Sequence, residues 1–165
     1  MLFRSEVMGI DVTFGRAFYK AELAAGTVLP TSGMVFLSLA DADKPAGIVV
    51  ASRLRRLGFG IAATTGTAAY LAGFGLDVDQ VVHKVSEGSG TTAVDLIASG
   101  DVSFVINTPQ GRGGRTDGEA IRKAANVHRV SSVTTVEAAL AAVQGMAEQS
   151  DRPLDVRSLQ EHHGR

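Results

Sequence analysis

Five short apolar runs, each followed within a few residues by a segment of helical periodicity, constrain this chain more than any other feature. The runs are Met34 to Leu39, Phe59 to Thr64, Val78 to Val82, Val102 to Ile106 and Val130 to Val133. They are continuous rather than alternating, as strands buried on both faces are. Helices are expected between them. One is capped by Asp43, carries Pro45 in its first turn and stops at Gly58. Others cover Thr67 to Ala72, Thr92 to Ser99, Asp117 to Asn126 and Val136 to Met146. Strand–helix alternation with short connections means a parallel sheet with helices on both faces. One further helix precedes the first strand: Phe14, Ala17, Phe18, Ala21 and Ala25 recur at helical spacing, with Thr13 as cap and Gly26 as stop. Residues 1–12 read as a lead-in, 13–149 as one domain and 150–165 as a tail, expected to be mobile from Arg157 onward.

Composition removes several function classes. The 165 residues suffice for one core without staples. With 16 basic and 17 acidic residues the net charge is -1, which argues against a nucleic-acid partner. Cysteine is absent, so disulfides, cysteine-ligated zinc and thiol catalysis are excluded. No apolar run approaches the ~20 residues of a membrane helix, and the first residues lack the apolar centre of a signal peptide. A cytoplasmic setting and no membrane partner are the expectation.

In open parallel sheets, ligands bind beyond the carboxyl ends of the strands. The residues expected there are rich in hydroxyls, glycines and cations and poor in carboxylates. They include Ser38, Asp43-Lys44, Thr64-Thr65-Gly66-Thr67, His83-Lys84, Asn107-Thr108 and Thr134-Thr135. The Thr64–Thr67 turn opens a helix, so free N–H groups and the helix dipole would face an anion there. It reads equally as a helix start at which Thr67 is only the cap. Lys44 and Lys84, two of four lysines, fall on the same edge, either as phosphate contacts or as solvated surface charges. Arg112 and Arg115, in a loop with three glycines, either clasp an anion or stay solvated. Asn107 either binds a ligand or satisfies a turn. His83 is a candidate acid or base beside a structural reading, while His128, His162 and His163 have no partner in view. The 107–116 loop holds no acid and no histidine, and no metal-ligand spacing appears.

A series of short motifs, in order, carries a resemblance. They are Glu6-Val7-Met8-Gly9, Phe14-Gly15 with Ala17-Phe18, Ala24-Ala25-Gly26, Asp41-Ala42-Asp43-Lys44-Pro45 and Leu57-Gly58-Phe59. Ala63-Thr64 with Gly66-Thr67-Ala68, Lys84-Val85-Ser86-Glu87-Gly88, and Ile106-Asn107-Thr108-Pro109 with Gly111-Arg112 follow. Together they resemble the C-terminal part of the carbamoyl phosphate synthetase large subunit, its regulatory domain of methylglyoxal-synthase-like fold. The resemblance spans nearly the whole chain, and the lead-in resembles the end of the preceding ATP-grasp half, so the chain is expected to be a fragment.

The resemblance implies a three-layer α/β/α domain with a five-stranded parallel sheet that binds a nucleoside monophosphate effector, UMP or IMP. It assigns the contacts to Ser38, Lys44, Thr64, Thr65, Gly66, Thr67, Lys84, Asn107 and Thr108, with ornithine acting near Thr134 at the border with the preceding domain. It implies partners in the rest of the large subunit, the glutaminase small subunit and an oligomer of large subunits. The full enzyme uses ATP with Mg or Mn to make carbamoyl phosphate for pyrimidine and arginine synthesis; this fragment is expected to hold no cofactor and no catalytic residue. Two positions depart from the pattern. Pro109 stands where some IMP-binding members carry a second threonine, and Gly113 where an arginine often follows Arg112.

Two other readings compete. One is a stand-alone lyase of the methylglyoxal synthase type, opposed by missing carboxylates in the third and fourth strand-following loops. The other is a structural, oligomer-forming module whose effector site has decayed.

Overall fold

A computed structural model describes residues 7–83, 90–108, 115–149 and 154–164. The chain runs α1 (Phe14–Ala24), β1 (Met34–Ser38), α2 (Lys44–Arg56), β2 (Gly60–Thr64), α3 (Thr65–Ala72) and β3 (Gln80–Val82). It continues with α4 (Ala93–Ala98), β4 (Val102–Asn107), α5 (Arg115–Val127), β5 (Ser131–Val133), α6 (Val136–Glu148) and α7 (Leu159–His162). The five strands form one parallel sheet in the order β3-β2-β1-β4-β5.

The apolar runs are continuous because alternate side chains enter different cores. From β1, Val35 and Leu37 join one cluster and Phe36 the other. Ile61 and Ala63 of β2 and Phe104 and Ile106 of β4 follow the first pair; Ala62 and Val105 follow Phe36. The first core is closed by residues of α2, α3 and α6, such as Leu54, Leu71 and Val143, and the second by α4 and α5 through Leu96, Ile97, Ile121 and Ala125. The architecture is therefore the three-layer α/β/α arrangement that the alternation requires.

Local signals act largely where the sequence places them. Thr13 caps α1 by accepting from Arg16 N, Thr135 caps α6, and Thr92 forms a reciprocal box with Asp95 at α4. Gly58 follows α2 at φ 84°, a conformation only glycine adopts without strain. Two expectations need correction. Asp43 precedes α2 but has helical backbone angles and makes no side-chain cap bond. The third helix begins at Thr65, so Thr67 lies inside it. Beyond α6, Ser158 and Glu161 cap the short α7 reciprocally.

The tail is also tied down. Lys20 Nζ donates to Asp155 O at 2.6 Å and to Ile10 O at 3.1 Å, and pairs with Asp11 Oδ2 at 2.8 Å. Asp11, Arg16, Lys20, Asp155, Arg157 and His162 line a cavity of about 270 Å³ between lead-in, α1 and tail, so His162 does have neighbours. The Lys20 ammonium is the main reason the Asp11 carboxyl titrates at about 2 instead of the ordinary 3.8; the Val12 N–H and Arg16 add to it against the opposing effect of burial. A lowered carboxyl pKa stabilises the fold fully above the unfolded value and loses that contribution as pH falls towards 2. Asp11→Asn should therefore lower the melting temperature at pH 7 and flatten the pH dependence between about pH 4 and 2. Thermal melts across that range should converge near pH 2; a constant gap between the two proteins would count against this assignment.

Candidate functional site

The strand order places a switch point between β1 and β4. From β1 the chain winds outward to β2 and β3, then returns to β4 on the other side. Beyond such a reversal the connections diverge and leave a crevice. Its floor is formed by Ser38 and Asn107, which are register partners.

Three segments are stitched together behind this floor. Thr108 N donates to Ser38 O at 2.9 Å. Thr108 Oγ1 accepts from Ala40 N at 2.8 Å, and Thr67 Oγ1 accepts from Leu39 N at 3.0 Å. The Thr64 hydroxyl donates to Thr67 Oγ1, also at 3.0 Å. The chain leaving β1 would otherwise present two unpaired N–H groups near the sheet end, and buried donors must be paired. Thr67 is 1% exposed and Thr108 3%. The cap reading of Thr67 does not describe this geometry: its hydroxyl does not cap α3 but holds the loop after β1. Gly47 lets α2 close on the same loop, since a Cβ there would overlap Leu39 Cδ1.

In front of the stitching, Thr65 and Gly66 are exposed in the first turn of α3. Thr64 stands at the N-cap position with an extended backbone and makes no side-chain cap bond. The first-turn N–H groups therefore face outward without a side-chain acceptor. Lys44 delivers its ammonium to this turn: Nζ lies 3.6 Å from where a Cβ of Gly66 would stand. It pairs with Asp41 Oδ1 at 2.6 Å and lies 5.8 Å from the centroid of Tyr70. The Lys44 side chain is 15% exposed, whereas that of Asp41 is 82% exposed. A cation held beside two helix N-termini opposes both dipoles, so its position favours an incoming anion.

Asn107 closes the other side. It is 4% exposed, and its Nδ2 has no hydrogen-bond partner. An unpaired buried amide is costly, and its usual remedy is water or a ligand. The turn-satisfying reading of Asn107 leaves this nitrogen unaccounted for.

The expected site residues thus divide. Ser38, Lys44, Thr64, Thr65, Gly66, Thr67, Asn107 and Thr108 come together at the carboxyl ends of β1, β2 and β4. Thr134 is exposed just past the end of β5, one strand beyond Asn107. Lys84, Pro109, Arg112 and Gly113 lie outside the described residues. The His83 ring packs on Gly90, and His128 is exposed beyond α5. Sequence reading placed Asp41 near Lys44, as the ion pair shows, but missed Tyr70 as its neighbour, and missed Gly118 and Arg122 beside Asn107. A glycine in a helix interior was the available signal for Gly118. Among the described residues, no group of three or more histidines or acids is placed to hold a metal. No described helix is long and apolar enough to cross a membrane.

An open parallel α/β domain with a polar, cation-bearing crevice at its switch point is a ligand-binding architecture of the doubly wound class. Comparison with known proteins narrows this. The family model for the MGS-like domain matches residues 47–134, just over half the chain, and the chain belongs to that family. It is 47% identical over 159 residues to the carbamoyl phosphate synthase large chain, C-terminal section, of Methanopyrus kandleri, covering 96% of this chain and 29% of that protein. It is 43% identical to the carbamoyl phosphate synthase large chain of Synechocystis sp. over 96% of this chain and 15% of that one. The corresponding protein of Rubrobacter xylanophilus is 50% identical over 141 residues, 86% of this chain and 13% of its own length. The chain thus spans less than a third of each of these relatives.

Proposed function

We propose that this chain is the effector-binding region of a carbamoyl phosphate synthase large chain, and that a nucleoside monophosphate, UMP or IMP, binds across the β1/β4 crevice. The observation that carries this reading is the Lys44 ammonium held against Gly66 at the uncapped first turn of α3. A phosphate monoester there meets a cation, outward N–H groups and threonine hydroxyls together. Lys84 is proposed as a second cation for the same phosphate, and Ser38 and Thr108 as contacts beside it. Thr134 is the proposed border contact for ornithine. The similarity to large chains supports a wider setting: a cytoplasmic, glutamine-hydrolysing, ATP-dependent ligase with a glutaminase small subunit and an oligomeric large subunit. ATP and Mg or Mn belong to other parts of that enzyme.

Calorimetric titration of the chain with UMP and IMP tests the reading. Saturable binding with one site per chain is expected, and an indifferent titration with both nucleotides would sink it. On the same reading the chain by itself catalyses nothing. Incubated with dihydroxyacetone phosphate, it should release inorganic phosphate only at the background rate; robust release would instead favour a lyase.

A further inference from the structure

Two neighbours hold the Lys44 ammonium, and they hold it differently. Asp41 is an exposed anion, so its carboxylate neutralises the charge it pairs with. Tyr70 is uncharged. The ammonium stands over its ring, 5.8 Å from the centroid, within the roughly 6 Å over which the face of an aromatic ring attracts a cation. A ring fixes the ammonium and leaves its full charge available. Tyr70 follows Gly66 by one turn of α3, so the two share a helix face, and Lys44 reaches across from α2 to lie against both. Tyr70 is braced in turn by Phe74, with ring centroids 5.2 Å apart and a tilt of 42°. Phe74 is exposed and belongs to neither core. The Tyr70 hydroxyl makes no hydrogen bond among the described residues, so the ring is the part of this side chain that the site engages.

Lysine carries its charge on a flexible four-carbon stem. An unheld lysine samples many rotamers, and an anion that binds it bears the entropic cost of fixing them. Holding the ammonium in place beforehand removes that cost and raises affinity. We propose that Tyr70, braced by Phe74, is a positioning residue of the phosphate site: its ring keeps the Lys44 ammonium charged and aimed at the first turn of α3 until a phosphate takes the place of Asp41. The inference rests on the effector reading above and extends it to a residue that acts through Lys44 rather than on the ligand. Two consequences follow. The site needs the ring and not the hydroxyl, and the effect of Tyr70 reaches the phosphate only through Lys44.

The test is calorimetric titration of the 165-residue chain, its Tyr70→Leu, Tyr70→Phe and Lys44→Ala variants and the Lys44→Ala/Tyr70→Leu double variant with UMP and inorganic phosphate. Tyr70→Leu should weaken both ligands alike, by about three- to tenfold. Tyr70→Phe, which keeps the ring, should stay within about twofold of the wild type. In the Lys44→Ala background, Tyr70→Leu should weaken UMP binding no further. Unchanged affinity in a folded Tyr70→Leu overturns the proposal, as does an equal loss with and without Lys44. A loss confined to UMP also overturns it, since the ring would then meet the base, and so does a Tyr70→Phe as weak as Tyr70→Leu. Proton–carbon NMR of the unsubstituted chain gives a check independent of the variants' folding. The ring current of Tyr70 should move the Lys44 ε-methylene protons upfield of those of Lys20, Lys84 and Lys123, and saturating phosphate should change that shift. An ordinary Lys44 resonance in the ligand-free protein overturns the proposal even if Tyr70→Leu fails to fold. A wild-type chain that binds neither ligand overturns the effector reading and the positioning role with it, whereas failure in the Tyr70 variants alone overturns only the latter.

Discussion

Replacing Lys44 with alanine is expected to weaken UMP binding roughly ten- to a hundredfold, while the ligand-free protein keeps its melting temperature within a degree or two. A charge-assisted contact to a phosphate dianion contributes about 1.5–3 kcal/mol, which is that range in affinity. The ligand-free fold has little to lose. The ion pair partner, Asp41, is 82% exposed, and pairs of that kind contribute about 0–1 kcal/mol. Removing the ammonium also relieves its opposition to the α2 and α3 dipoles. A phosphate that arrives at the first turn of α3 meets Asp41 as a competitor for the same ammonium. Asp41→Asn is therefore expected to tighten nucleotide binding modestly, and salt should weaken it in both forms. Calorimetry with parallel thermal melts separates the possibilities. If Lys44→Ala leaves UMP affinity intact and lowers the melting point, the lysine is a structural charge and the cradle reading fails.

The layout of this domain was legible in its sequence, while the wiring of its site was not. β1, β2 and β4 announce themselves because runs such as Val35-Phe36-Leu37 must be apolar on both sides, each neighbour feeding a different core. Gly26 and Gly58 mark helix ends because only glycine turns the chain there at φ 83° and 84°. The site depends on pairs distant in sequence. Thr67 finds its partner 28 residues away, in Leu39 N. Read locally, a threonine near a helix start resembles a cap, and the same hydroxyl chemistry serves either purpose. Lys44 could be placed at an edge but not against Gly66, because that contact requires the order of β1 and β2 and the tilt of two helices. Asn107 carried a partial signal: an amide ending an otherwise apolar run is a misfit in a strand interior. Its missing partner becomes visible only when Gly118 is seen over it. The contact of Lys20 with Asp155 O was out of reach for a similar reason, since it joins residues 135 apart.

Thr67→Val should destabilise the ligand-free protein by about 2 kcal/mol, a fall of roughly 4–8 °C in melting temperature for a domain of this size. The substitution keeps the side-chain volume and its β-branched shape, so packing around this 1% exposed residue is nearly conserved. What disappears is the acceptor for Leu39 N and the partner of the Thr64 hydroxyl. Leu39 is itself buried, so its N–H has no route to water and bears the desolvation cost of an unmade bond, about 1–3 kcal/mol. The loop after β1 should loosen, and with it the α2 start that carries Lys44. Nucleotide affinity should therefore fall by a further factor of a few, even below the melting transition. Amide hydrogen exchange gives the local check: Leu39 and Ala40 should lose protection together, while Phe36 in the middle of β1 should keep it until global unfolding. If Thr67 served only as a ligand contact, the variant would melt with the wild type and Leu39 would remain protected, so a null result in these two measurements moves Thr67 from the scaffold to the ligand.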